Sequence, residues 1–491
     1  MRTFSTGATG EPGASTSGSR LPSGVSARPP AAKEAISLQP PRGTRDFLPE
    51  EKRLQSWLFA HWWSVSEAFG YDPVDYPLVE SEALFLRKAG EDISEQLYAF
   101  ADRSGRRLAL RPELTPSLAR LAAASRASHP LPLKWAAVGQ CWRYERAGRG
   151  RRREHYQWNL DVLGIPGPAP EAELLAALAS FFKRVGLTPK DVRLKVSSRQ
   201  ILAAALEAVG GASEALTRVA VVVDRAEKLG PEAVLEALEE QGLEPRQSRR
   251  LLFILDAPDL QELCSRLKEG CGSEQGGAGA GSEECGNESE SLSSLSPLGR
   301  AAVSELERLW ELARSLGVAE WLDLSPKVVR GLAYYTGVVF EGVDARGELR
   351  SICGGGRYDR LLGTLGGEDA PCAGFGLGDA VVVELLRERG LLPDFKSSRD
   401  VLVGALEEGD LTAAAGVADR LRATRPEARV DLALQPRRPR WLLKHAEKQG
   451  ARVLVVVGGE EWSRGALRVR DLTTGHEREV SVDQLVHEFE Q

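Results

Sequence analysis

The sequence predicts an α+β protein, in which sheet-forming segments enclose a long helical stretch and a small α/β domain follows. Three observations support this fold class. Strand and turn signals run from residue 71 to about 164 and return at 328–341, helical periodicity dominates 171–324, and strands alternate with helices after residue 400. The 491 residues allow about three domains of roughly 150 residues each.

The composition is typical of a water-soluble globular protein, with 27% charged and 42% hydrophobic residues. The formal net charge is −6, so an anionic partner would have to meet a local basic patch. The six cysteines are scattered without a C-x-x-C pair. This pattern predicts that the protein works in a reducing compartment and that its residues form no metal-binding site. No apolar run approaches the roughly 20 residues of a spanning helix, so we expect no membrane partner.

Residues 1–40 are rich in Ser, Gly, Ala, Thr and Pro, and they contain four basic but only two acidic residues. A cationic, Ser-rich and acid-poor start of this kind is typical of an organellar transit peptide. The alternative is an ordinary disordered tail.

The folded part is predicted to begin with a helix and an edge strand. Apolar residues recur at helical spacing from Leu54 to Phe69, and Gly70 follows as a stop signal. The next segment, residues 71–79, contains two prolines, which suit an edge strand or an interface rather than a central strand.

Helices dominate the middle of the chain. The apolar spacing predicts one helix over 171–186 and a succession of helices from 201 to about 324. Residues 270–297, a low-complexity stretch of Gly, Ser and Glu, interrupt them and are interpreted as a disordered surface insertion. After the β-rich segment 328–341, a helix near 380–389 ends this part.

A small separate α/β domain is predicted beyond a linker at 393–398. Its elements, in order, are a strand over 401–406, a helix over 411–423, a strand over 430–434, a helix over 441–449 and a strand over 453–457.

The clearest chemical pattern lies in residues 134–164. With a period of two, polar residues share one face of two successive strands, and apolar residues take the other. The polar positions are Arg143 and Glu145 on the first strand and His155, Gln157, Asn159 and Asp161 on the second. The loop between them places six arginines in residues 143–153. Because guanidinium groups match phosphate oxygens in pairs, this patch suits a nucleoside triphosphate and a polynucleotide end; the alternative is a solvated hairpin.

Three further segments carry polar groups at strand ends. Residues 111–115 place the Glu113 carboxylate and the Thr115 hydroxyl where they could hold an ammonium group. Residues 330–337 set Arg330 and paired tyrosines before a strand, and the Gly-rich turn 353–359 allows a ligand to approach the backbone closely. Taken singly, the segments 330–337 and 353–359 are better explained as a salt-bridged strand start and a tight hairpin.

Together, in this order, the segments resemble the histidyl-tRNA synthetases of class II, of the plant organellar type. The likeness covers nearly all of the chain from Pro40 onward. Residues 70–77 resemble the dimer-forming first motif, and residues 142–145 with 157–161 resemble the second. The two signatures peculiar to the histidine enzymes are matched by Arg-Gly-Leu-Ala-Tyr-Tyr at 330–335 and Gly-Gly-Gly-Arg-Tyr-Asp at 354–359.

The resemblance implies an activity and a domain plan. The activity is histidine activation by ATP with Mg2+, followed by transfer to tRNA(His), in a homodimer of the chloroplast or mitochondrion. The implied plan is a transit peptide at 1–40, an antiparallel-sheet catalytic core at 41–186 and 326–392, a helical insertion at 187–325 that grips the acceptor arm, and an anticodon-binding domain at 399–491.

The resemblance also implies roles for individual residues. Arg143 and Arg330 would be catalytic at the α-phosphate, with Glu145 and His155 also binding ATP and His155 lying under the adenine. The histidine site would comprise Glu113, Thr115 and Gln157 at the amino group, Asp161 and Tyr335 facing the imidazole with Tyr334 beside them, Tyr358 closing the pocket, and Leu114 between the first two. The nucleophilic carboxylate is already ionised, so no strong general base is needed, and positioning with positive charge suffices.

Three positions depart from the family pattern. Asp161 is one methylene shorter than the usual Glu, Ala333 replaces a usual acid, and Val381 stands where an arginine usually clamps the γ-phosphate.

The departures leave open a non-catalytic paralogue, such as the regulatory subunit of ATP phosphoribosyltransferase. The C-terminal domain argues against a regulator. Another class II synthetase is a third possibility, although a prolyl or threonyl enzyme is expected to lack the Tyr-Tyr signature.

A basic cluster at 437–444 could meet anticodon phosphates, or it could be a solvated helix end.

Overall fold

The structure is a computed structural model, and it describes residues 37–86, 95–146, 148–270, 294–328, 334–395 and 399–490. Residues 1–36 of the predicted transit peptide at 1–40, residues 271–293 of the predicted low-complexity segment at 270–297, and Arg330 and Ala333 lie outside the described residues. The chain divides into a unit at 1–41 and a unit at 42–491, and all of the helices and strands below belong to the second.

In chain order, the strands are β1 (Asp72–Pro73), β2 (Val79–Ser81), β3 (Ala99–Ala101), β4 (Arg107–Leu110), β5 (Leu133–Trp142), β6 (Glu154–Leu163), β7 (Val192–Ser198), β8 (Leu322–Leu324), β9 (Val338–Asp344), β10 (Cys353–Arg357), β11 (Cys372–Gly378), β12 (Arg399–Ala405), β13 (Val430–Leu432), β14 (Ala451–Val457), β15 (Leu467–Asp471) and β16 (Glu477–Val480).

The α-helices are α1 (Pro49–Ala68), α2 (Glu82–Leu86), α3 (Thr115–Ser125), α4 (Ala169–Arg184), α5 (Arg199–Ala208), α6 (Leu216–Asp224), α7 (Ala226–Leu229), α8 (Pro231–Glu240), α9 (Pro245–Leu255), α10 (Leu260–Gly270), α11 (Pro297–Ser315), α12 (Leu361–Thr364), α13 (Asp379–Glu388), α14 (Leu411–Thr424), α15 (Pro439–Lys448), α16 (Gly459–Ser463) and α17 (Val482–Glu490). Within the described ranges, none of them is both long and apolar enough to cross a membrane.

An eight-stranded sheet with the order β1-β5-β6-β11-β10-β9-β7-β8 forms the centre of the fold. Its inner pairings are antiparallel, and only the outermost pairs, β1 with β5 and β7 with β8, are parallel. The predicted antiparallel core is therefore confirmed. The proline-containing β1 lies at the edge, where a missing backbone N–H costs no ladder hydrogen bond.

Helix α1 covers one face of this sheet because its apolar residues fall on one side. It begins with Pro49, whose fixed φ suits the first turn, and two glutamates follow in that turn, where they complement the helix dipole. Leu58, Trp62 and Val65 are buried, and the Trp62 ring stacks on Trp158 of β6 with centroids 6.1 Å apart. The apolar face of β6 is thus part of the main hydrophobic core.

The helical insertion that the resemblance implies at 187–325 begins and ends with strands, because β7 and β8 belong to the central sheet. Residues 192–196 alternate buried apolar with partly exposed charged side chains, which is the period of a strand rather than a helix. Helices α5 to α11 lie between these strands. They pack into the same apolar cluster as the sheet; Ile201, Leu251 and Leu306 are members of it.

The C-terminal residues form a mixed five-stranded sheet with the order β13-β12-β14-β15-β16. The predicted elements here appear with shifted ends, but β15, β16 and α17 were not predicted. The sheet and its helices have hydrophobic clusters of their own, to which Val403, Val455 and Leu442 belong. A third, three-stranded sheet has the order β2-β4-β3.

Candidate active site

A cavity of about 400 Å³ opens over β6, β10 and β11 of the central sheet. Its wall brings together predicted residues from four separated segments of the chain. The predicted residues on this wall are Glu113, Thr115, Arg143, Glu145, His155, Gln157, Tyr334, Tyr335 and Tyr358. Concave sites with a few convergent polar groups are the usual places for small-molecule binding.

Glycines of β11 make room for the polar residues of β6. Gly374 pairs with Asp161 and Gly376 with Asn159 in the antiparallel ladder. A Cβ atom at Gly376 would overlap Gln157 Nε2, and one at Gly374 would overlap Asp161 Oδ1. These two positions therefore require glycine, because only a residue without a side chain lets β11 lie this close to the polar groups of β6.

One end of the cavity is acidic. The Glu113 side chain is only 7% exposed, and Tyr334 Oη donates to its Oε2 at 3.4 Å. Burial raises the pKa of Glu113, while the positive charge of Arg143 and the Tyr334 hydrogen bond oppose that rise. The Thr115 hydroxyl accepts from Asn159 Nδ2 at 3.3 Å. A buried carboxylate beside a hydroxyl can accept hydrogen bonds from an ammonium group.

The other end is basic, and the hairpin between β5 and β6 supplies most of its charge. The Arg143 N–H donates to the Arg153 carbonyl at 2.8 Å, and Arg143 Nε donates to the Pro112 carbonyl at 2.9 Å. Arg151 forms an ion pair with Glu145. Burial lowers the pKa of Arg151, and the charges of Arg350 and Arg143 lower it further. Guanidinium groups that lie close together on a cavity wall repel one another, and a bound polyanion would offset that repulsion by pairing with them.

The His155 ring lies on the wall beside the basic end. Burial lowers its pKa to about 3, and the charges of Arg143 and Arg45 add to this effect. The ring is therefore neutral at physiological pH and offers a flat surface without adding to the positive charge.

Two predicted histidine-binding residues do not line the cavity. The Leu114 side chain is 1% exposed and packs in the core near Gly139. Asp161 is also 1% exposed, and Tyr358 Oη donates to its Oδ1 at 2.5 Å. The role predicted for Arg330 cannot be located, because that residue lies outside the described part of the chain.

We expect Asp161→Asn to change how stability depends on pH. Burial raises the pKa of Asp161 to about 7, against about 3.9 in an unfolded chain. The stability associated with the neutral carboxyl is present below about pH 4 and is lost as the pH rises to about 7. Relative to the parent, the variant should gain roughly 2 kcal/mol of unfolding free energy between pH 5 and pH 8, measured by denaturant titration.

Asp419→Asn, a change at an exposed position on α14, is the matched control and should show no such gain. A stability difference between Asp161→Asn and the parent that stays constant over this pH range would mean that the buried carboxyl is ionised throughout.

Sequence reasoning missed several residues on the wall. It did not identify Arg350 or Glu341, and it noted Arg151 and Arg152 only as part of an Arg-rich loop. Arg350 lies shortly before the glycine-rich turn, but no pattern in the sequence marks its side chain as part of the site. No group of three His, Cys, Asp or Glu side chains among the described residues could hold a metal ion. Mg2+ bound mostly by phosphate oxygens and water needs only one or two carboxylates, and Glu145 and Glu341 on the wall fit that need.

Comparisons with known proteins match nearly the whole described chain. The family model for histidyl-tRNA synthetase matches residues 43–380, and the model for an anticodon-binding domain matches residues 400–491. The chloroplastic/mitochondrial histidine-tRNA ligase of Arabidopsis thaliana is 46% identical over 92% of this chain and 86% of its own length. A histidine-tRNA ligase of Opitutus terrae is 34% identical, covering 90% of this chain and 96% of that one.

A solved structure supports the fold. The histidyl-tRNA synthetase from Nostoc superposes with a TM-score of 0.74 at 24% identity, covering 93% of this chain and 99% of the other. The family models, the relatives and the antiparallel core lead to one conclusion: the chain belongs to the histidyl-tRNA synthetase family.

Proposed function

We propose that the protein is a histidine-tRNA ligase. It activates L-histidine with ATP to histidyl-adenylate and pyrophosphate, and it then transfers histidine to the 3′ end of tRNA(His). The observation that carries this proposal is one cavity whose wall brings the buried carboxylate of Glu113 together with Arg143, Arg151 and Arg350.

The amino acid would occupy the acidic end. Glu113, Thr115 and Gln157 accept hydrogen bonds from the amino group, and Tyr334 holds the Glu113 carboxylate in place. Tyr335 and Tyr358 would face the imidazole, with Asp161 accepting a hydrogen bond from Tyr358. An amino acid without ring nitrogens would leave these polar groups unpaired, which is the strongest available basis for rejecting it.

ATP would lie along the basic end, with the adenine on His155 and the α-phosphate at Arg143. In the transition state, negative charge builds up on the phosphoryl oxygens, and a guanidinium already in position stabilises it without reorganisation. Mg2+ supplies further neutralisation of phosphate charge when bound, with Glu145 or Glu341 as its protein ligands. Arg330 stays a prediction as the second arginine at the α-phosphate.

Residues 399–491 would bind the anticodon of tRNA(His), and residues 187–325 would contact its acceptor arm. The match to an anticodon-binding domain supports the first role and argues against a regulatory paralogue, for which an anticodon reader has no use. The homodimer is also part of this proposal. The composition of residues 1–40, together with the organellar relative, supports import into the chloroplast or mitochondrion.

The test is ATP–pyrophosphate exchange with the purified full chain and each amino acid in turn. We expect exchange with histidine alone, followed by histidine attachment to tRNA(His) but not to a tRNA for another amino acid. A folded protein that binds histidine without catalysing exchange would instead be a binding paralogue.

A further inference from the structure

The position that usually carries a phosphate-clamping arginine in this family is Val381, on helix α13. Val381 lines the cavity and is 9% exposed, so its side chain offers the triphosphate an apolar surface. The departing pyrophosphate carries several negative charges, which need donors from elsewhere on the wall.

Four arginines of the described chain line the cavity: Arg143, Arg151, Arg152 and Arg350. Arg143 acts electrostatically on both Glu113 and Arg151. Arg151 follows Gly150, where an added Cβ atom would lie 3.3 Å from Val381 Cγ2. Arg350, from the segment between β9 and β10, is close enough to Arg151 for their charges to repel. The wall that holds Glu113 therefore also carries Arg143, Arg151 and Arg350, and the loop with Arg151 runs against Val381.

The chemistry of adenylate formation determines where the pyrophosphate needs positive charge. In adenylate formation, a histidine carboxylate oxygen forms a bond to the α-phosphorus, and the bond from that phosphorus to the oxygen bridging to the β-phosphorus breaks. Pyrophosphate leaves with that oxygen and its electron pair. Because the attacking and leaving oxygens are roughly in line, pyrophosphate must depart on the side away from the amino acid. With histidine at Glu113 and the α-phosphate at Arg143, the arginines of the described wall that are left to meet the pyrophosphate are Arg151, Arg152 and Arg350.

We propose that Arg350, together with Arg151, binds the β- and γ-phosphates of ATP and so replaces the arginine that helix α13 lacks. This inference rests on the proposed function for the orientation of ATP. Arg350 is exposed at the cavity wall, so its side chain can turn toward the phosphates without breaking a packed core. Arg151, which is paired with Glu145, contributes charge from the hairpin on the other side.

The test compares binding of ATP and AMP to the full chain by calorimetry in the presence of Mg2+. We expect Arg350→Ala to weaken ATP binding by about 10- to 100-fold, the usual effect of a lost charged hydrogen bond, and to leave AMP binding unchanged. Arg346→Ala is the matched control, because Arg346 is an exposed arginine in the same segment that does not line the cavity. It should change neither affinity.

A second measurement separates this role from general damage to the site. Transfer of histidine from preformed histidyl-adenylate to tRNA(His) should proceed at the parent rate in Arg350→Ala, because the adenylate has no β- or γ-phosphate. Unchanged ATP affinity, or equal losses for ATP and AMP, would overturn the inference. The binding comparison needs no catalysis, so it still tests Arg350 if the parent protein shows no histidine-dependent exchange.

Discussion

Arg143→Ala is expected to lower kcat for histidine-dependent ATP–pyrophosphate exchange by about 100- to 1000-fold, the cost of removing one donor aimed at developing charge. Two hydrogen bonds fix Arg143 at the end of β5, one from its backbone N–H to the Arg153 carbonyl and one from Nε to the Pro112 carbonyl. Its remaining guanidinium N–H groups are therefore available to a phosphoryl oxygen in a defined orientation.

The kinetic parameters distinguish this role from simple attraction of ATP. Loss of a transition-state contact lowers kcat and kcat/KM together, whereas loss of ground-state binding alone raises KM. Arg143→Lys keeps the charge without the planar fork and should retain only part of the rate. Arg146→Ala, an exposed change in the same hairpin, is the control and should be close to the parent. A parent-like kcat in Arg143→Ala would refute the proposed role.

Arg357→Met is expected to reduce the free energy of unfolding by about 3–5 kcal/mol, because it leaves a buried carboxylate without its partner. Arg357 Nε and Nη2 each donate to a different oxygen of Glu171 at 2.7 Å, and both side chains are buried. Arg357 also donates to the Gly167 carbonyl, so it ties the end of β10 to the start of α4. Urea denaturation of the parent and the variant measures the difference.

The control is Arg387→Met, which removes an exposed ion pair with Glu384 and should cost about 0–1 kcal/mol. The double variant Arg357→Met with Glu171→Leu should recover much of the loss, because replacing both partners by apolar groups removes the unpaired charge. An Arg357→Met cost no larger than that of the control would show that the pair adds little to stability. Since Tyr358 follows Arg357 directly, histidine binding should weaken in the single variant as well.

The sequence alone predicted those elements whose signals are local. Strand β6 alternates polar and apolar side chains over ten residues, so the residue pattern is enough to assign its two faces. Helix α1 has an unbroken apolar stripe and a stop at Gly70. Strand β7 has the same alternation, but its partner β9 lies far along the chain, and no local pattern reveals such a pairing. The bounds implied for the helical insertion, 187–325, therefore took in β7, although the predicted helices began only at residue 201.

For the site, too, the sequence predicted some features, whereas others depend on the fold of the whole chain. The resemblance predicted that Glu113, Gln157 and Tyr334 share one pocket, and the structure brings them to one wall. Sequence could not show that Asp161 is buried off the cavity wall and bonded to Tyr358, because burial depends on how the strands pack. Nor could the sequence identify Arg350 as a site residue, because an arginine in a loop belongs to no periodic pattern. The direction of its side chain depends on how the whole chain folds.

The shared apolar cluster of the central sheet and helices α5 to α11 has a consequence for folding cooperativity. Neither part has a core that is complete without the other, so both should melt in a single transition. Cut out alone, the helical segment would expose the apolar faces that now pack on the sheet, and it would be prone to aggregate. The C-terminal sheet, whose hydrophobic clusters contain only residues from its own segment, has the properties of an independently folding module.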